Sequence, residues 1–115
     1  MTADTAGDRK QLLVRRIIEA RRNDETVVFE ADESVVEYDN RTVRIELDAG
    51  ERDRLAELLD AYHVFKIKQP ETRKAAEEMV YLSAVTDAKH AADFIEALFR
   101  TVYKASEGYE LQTAT

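Results

Sequence analysis

Cysteine is absent from this 115-residue chain, which excludes disulfides, thiolate metal sites and cysteine nucleophiles together. There is no tryptophan and only one proline, Pro70. The three glycines, Gly7, Gly50 and Gly108, are too scattered for a phosphate-cradling loop. Ser34, Ser83 and Ser106 are the only serines, and none stands in a nucleophile-elbow setting. No apolar run approaches the roughly 18 residues of a spanning helix. The opening MTADTAGDRK lacks the apolar stretch of a signal peptide, so the expectation is a cytoplasmic protein without a membrane segment. These gaps weigh against an enzyme, and they leave no catalytic residue, cofactor site or metal site to assign.

What is present is charge. Acidic residues outnumber basic ones 24 to 17, for a formal net charge of −7, and 44% of the residues are hydrophobic. That balance suits one folded domain, neither a disordered tail nor a membrane protein. The charge is unevenly placed. Residues 1–23 hold six basic and three acidic side chains, whereas residues 24–60 hold four basic and thirteen acidic. An acidic, cysteine-free chain with eleven arginines against six lysines resembles the cytosolic proteins of extreme halophiles such as haloarchaea. The resemblance is one of composition, and it implies carboxylates that maintain solubility where salt screens ordinary repulsion.

The pattern of residues predicts an α+β fold: an N-terminal helix, a three-stranded antiparallel meander, then two or three helices packing on the sheet. Residues 1–7 read as a flexible leader, 8–104 as a single α+β domain and 105–115 as a flexible tail. From Asp8, Leu13, Ile17 and Ala20 recur at helical spacing, flanked by Val14 and Ile18, with Asn23 as the expected stop. TVVFE (26–30), SVVEY (34–38) and TVRIEL (42–47) are rich in β-formers, and DNR (39–41) signals a tight turn. Asp48 and Glu51 form a capping box ahead of a helix whose stripe is Leu55, Leu58, Leu59 and Tyr62. HVFKIKQ (63–69) either extends that helix or forms a short strand with Phe65 and Ile67 inward. MVYLSAV (79–85) is apolar on every side, so its period does not separate helix from strand; without glycine or proline to interrupt it, helix is the favoured reading. The last helix starts at Thr86 or Asp87 and runs to about Lys104.

Two helical faces stand out. On the first helix, Arg9, Arg15, Arg16 and Arg22 form a candidate face for a partner protein or a nucleic acid. Glu19 braces its middle, and the acidic segment that follows would repel a duplex, so docking against an acidic protein surface is favoured over nucleic acid. A second basic cluster, Lys66, Lys68, Arg73 and Lys74, would strengthen the nucleic-acid reading if it lay beside this helix. On the last helix, Phe94, Ile95, Leu98, Phe99, Val102 and Tyr103 belong to an apolar arc of roughly 200°, about twice the minimum stripe of a surface helix. It is a candidate dimer or core face. His90, three residues from both Asp87 and Asp93, is poorly placed to grip a metal from one helix, and His63 ends the second helix. The leading expectation is a small non-enzymatic homodimer acting through protein–protein interaction. The alternative is a nucleic-acid-associated regulator using the basic helix.

Overall fold

The structure, a computed structural model, describes residues 2–68 and 79–114. In chain order the elements are β1 (Thr2–Ala3), α1 (Ala6–Asn23), β2 (Val27–Ala31), β3 (Ser34–Asp39), β4 (Thr42–Glu46), α2 (Ala49–Ala61), β5 (Lys66–Lys68), β6 (Met79–Ser83), α3 (Ala88–Ala97) and β7 (Leu111–Ala114). A π-helical turn, Leu98–Val102, continues α3. The α+β class is as expected, but the three strands of the meander are part of a larger antiparallel sheet in the order β1-β7-β2-β3-β4-β6-β5.

Alternation builds the sheet. Phe29, Val36, Tyr38, Val43, Ile45, Val80 and Leu82 point to one face and are buried with Leu12, Leu13 and Ile17 of α1 and Leu55 of α2 in one cluster. Val35, Glu37, Arg44 and Tyr81 point the other way, where no helix of the described residues lies. Asp39 pairs with Thr42, leaving Asn40 and Arg41 as a two-residue turn, both with positive φ, as a type I′ hairpin requires.

Three expectations are corrected here. MVYLSAV is not helix: Met79–Ser83 is a strand paired with β4 and β5. Its inward Val80 and Leu82 enter the core while Met79 and Tyr81 lie half-buried on the opposite face, which is why it read as apolar all round. Phe65 is inward, but Ile67 is 60% exposed, at the sheet edge. The stretches 1–7 and 105–115, expected to be loose, contain β1 and β7. β7 sits between β1 and β2, with Phe29 opposite Thr113.

The helices begin and end on specific groups. The Thr5 hydroxyl accepts from Asp8 N–H, so α1 starts earlier than Asp8, and Asp24 ends it in the left-handed conformation. The Asp48/Glu51 capping box forms as expected. Asp87 caps α3 through the His90 amide. That helix does not run regularly to Lys104. It gives way to the π turn, where Tyr103 N–H reaches Leu98 O and Arg54 of α2 donates to Val102 O at 2.9 Å.

The apolar arc of α3 is covered inside this chain. Phe94, Ile95, Leu98, Phe99 and Val102 are all fully buried, and Tyr103 is half-buried. Phe65 stacks on Phe94 with ring centroids 3.9 Å apart, and Phe99 lies 5.5 Å from Tyr109. The face is core, one of the two readings its arc allowed: the sheet, α1, α2 and the returning C-terminal segment together cover it.

Candidate functional site

Arg9 does not belong to a surface. It is 1% exposed, and its five N–H donors are all occupied. Nε and Nη2 bind the Glu96 carboxylate at 2.9–3.2 Å, Nη1 donates to Asp4 O and Tyr109 O, and Nη2 also donates to Glu107 O. The guanidinium lies 4.0 Å from the Tyr109 ring centroid, and the Tyr109 hydroxyl donates to Glu96. Burial works against the charged form of Arg9, but its bonds to Glu96 and that residue's charge prevail and raise its pKa. This closed network ties α1, α3 and both terminal segments together, and it offers no donor to an outside ligand.

The other three arginines of the expected face stay near the surface. Arg16 is half-buried and pairs with Glu19 at 2.7 Å. Its buried Nε has no hydrogen-bond partner among the described residues. Arg15 is exposed, 3.9 Å from the same carboxylate. Arg22 is exposed at the helix end. The candidate face therefore loses Arg9 outright, and Glu19 offsets part of the charge of the next two.

A different surface replaces it. An open groove of about 700 Å³ runs along α1, lined by Val14 and Ile18 together with Lys10, Arg15, Arg22 and Lys89. Among the described residues that line it, Glu19 is the one carboxylate. Ile18 is 42% exposed, high for an isoleucine so close to the core-facing stripe. Lys10 pairs with Asp93 of α3 at 3.0 Å, which fixes one wall. Val14 and Ile18 were legible as flanking apolar positions, but the stripe they make with Lys89 was not, because Lys89 comes from α3.

The second basic cluster is elsewhere. Lys66 pairs with Ser83 and Lys68 with Tyr81 across the sheet, so both sit on the face opposite the helices. Arg73 and Lys74 lie outside the described residues. No joint basic surface forms between Lys66, Lys68 and α1. His90 is held in an aromatic setting, with Phe65 and Tyr62 ring centroids at 5.4 and 5.8 Å and the Thr86 hydroxyl 3.4 Å from Nδ1. His63 is exposed just past the C-terminus of α2. No helix of the described residues is long and apolar enough to cross a membrane.

The chain belongs to a family of unknown function (DUF7975), which matches it over residues 1–115. Neither a curated protein nor a solved structure matches it.

Proposed function

We propose, for a member of a family without an assigned function, that the protein acts by protein–protein contact through the α1 groove, and that a second copy of the chain occupies it. The observation that carries this reading is a groove lined, among the described residues, by four cationic side chains and one carboxylate on a chain of net charge −7. The same chain supplies a complement. Asp53, Glu57 and Asp60 are exposed on α2 at spacings that place them on one stripe. None of the three has an ion pair among the described residues. Arg15 and Arg22 are seven residues apart, as are Asp53 and Asp60, and each span is about 10.5 Å along a helix. Laid side by side, the two helices match cation to carboxylate. Exposed Ala56 between the carboxylates leaves room for Val14 and Ile18 to approach.

Light scattering at low and high salt is the test. The expected result is a dimer mass at low salt that falls towards the monomer as screening rises. The pair Arg15→Glu and Arg22→Glu gives monomers, and so does the pair Asp53→Arg and Asp60→Arg. Mixing the two double variants restores a complex, because each then faces an opposite charge. A monomer mass for the parent chain at every salt concentration rejects the second copy as occupant. Retention of the parent on a nucleic-acid column at low salt, lost in the Arg15→Glu, Arg22→Glu variant, would instead assign the groove to a phosphate backbone. The burial of Arg9 and the pairing of Arg16 argue against that outcome.

A further inference from the structure

A second, smaller site is formed where the end of α1 meets the β3–β4 turn. A pocket of about 170 Å³ is lined by Ala20, Arg21, Asp24, Tyr38, Asn40 and Arg41. Arg21 is locked in place: Nε donates to the Tyr38 hydroxyl at 2.7 Å and Nη2 to Thr86 O at 2.6 Å. Both acceptors are uncharged, and Nη1 has no hydrogen-bond partner among the described residues. Tyr38 is 1% exposed, and its hydroxyl, having accepted from Arg21, still has its own proton to donate. Arg41 adds a second guanidinium. In a chain with 24 carboxylates, neither Arg21 nor Arg41 has an ion pair among the described residues, although Asp24 lines the same pocket.

The backbone gives an independent reason to look here. Arg41 occupies the second position of the turn at φ 57, where glycine is the residue that fits without strain. A bulky side chain held at positive φ is a local cost with no packing return, since Arg41 is exposed. A role for its guanidinium explains the choice.

We propose that this pocket binds a small oxyanion, a phosphate or carboxylate group, gripped by Arg21 Nη1, the Arg41 guanidinium, the Asn40 amide and the Tyr38 O–H. Two features oppose an anion. The C-terminal end of α1 is the negative end of its dipole, but its Ala20 carbonyl is already occupied by the Asp24 and Glu25 amides. Asp24 is a like charge, and it makes the site adjustable.

The test is titration of the full chain with inorganic phosphate and, separately, with acetate at low ionic strength, followed by amide shifts at residues 38–41. Saturable shifts are expected with at least one anion, and the anion that saturates identifies the class. Arg41→Gly suits φ 57, so that variant folds at least as well as the parent, and it should lose tenfold or more in affinity. Asp24→Asn keeps a residue that tolerates the left-handed conformation and should bind several-fold more tightly. Absence of saturable shifts with either anion, or equal affinity in Arg41→Gly, overturns the proposal.

Discussion

A single arginine shows how far a residue's role can lie from its position on a helical wheel. Arg9 falls on the polar side of α1, yet its guanidinium is withdrawn into the protein and bound to Glu96, Tyr109 O, Glu107 O and Asp4 O. The sequence lacked any signal of this, because all but one of these partners lie more than 80 residues away. Removing the charge leaves Glu96, itself only 21% exposed, without its cation. Arg9→Met is therefore expected to cost about 3 kcal/mol, read as a lower denaturation midpoint in urea with an unchanged slope. The Tyr109 phenol carries a second consequence. Burial raises its pKa well above the usual tyrosine value, as does its bond to the Glu96 carboxylate, against a smaller opposing effect of Arg9. Tyr103 is raised too, first by burial and then by the charge of Glu51. A folded-state pKa above the unfolded one means the native protein holds the proton more tightly. This stability is complete below about pH 10, the unfolded value, and is lost as pH rises above it. Tyr109→Phe should flatten that alkaline loss while lowering stability at neutral pH, as measured by urea titration at a series of pH values.

At the scale of elements, local chemistry was legible and long-range pairing was not. The strands of the meander, the two-residue turn and the Asp48/Glu51 cap were all readable, because each is written in adjacent residues. β6 was misread because both of its faces carry apolar side chains, and a period of two disappears when both phases are filled. The C-terminal segment was misread for the opposite reason. Only Tyr109 and Leu111 turn fully inward, so the alternation is too short to stand out from ASEGYELQTAT. The width of the apolar arc of α3 was legible, but not whether core or a second copy covers it, since its partners Phe65 and Tyr109 come from segments whose structure the residue pattern leaves open. The strand reading has a direct test. Deleting residues 111–115 should abolish cooperative thermal unfolding, because β1 and β2 lose the strand that joins them. A frayed tail could be removed without effect.

Over the whole molecule, the helices cover one face of the sheet and the described residues leave the other open. The open face is polar enough to remain so: Glu37 and Arg44 pair across β3 and β4 at 3.4 Å, and Arg44 lies 6.0 Å from the Tyr81 ring centroid. One margin is β5, three residues long with lysine at each end. Short, cationic edge strands resist pairing with another sheet. Replacing Lys66 and Lys68 with valine should produce large aggregates by light scattering with little change in thermal midpoint. The charge pattern that was visible first, a basic opening followed by an acidic stretch, survives folding as a groove on α1 and a carboxylate stripe on α2. What folding changes is membership: Arg9 leaves the basic surface and Lys89 joins it.

The placement of β7 also sets an order of events. It fills the gap between β1 and β2, two strands made within the first 31 residues, yet it ends at Ala114. During synthesis the early strands must wait for residues some eighty positions later, with the edge of β2 bare in the meantime. A chain arrested anywhere before residue 111 would expose that edge to its neighbours. Asp24 and Glu25 precede β2 and Asp32 and Glu33 follow it, and like charge at both ends of a bare strand opposes edge-to-edge pairing.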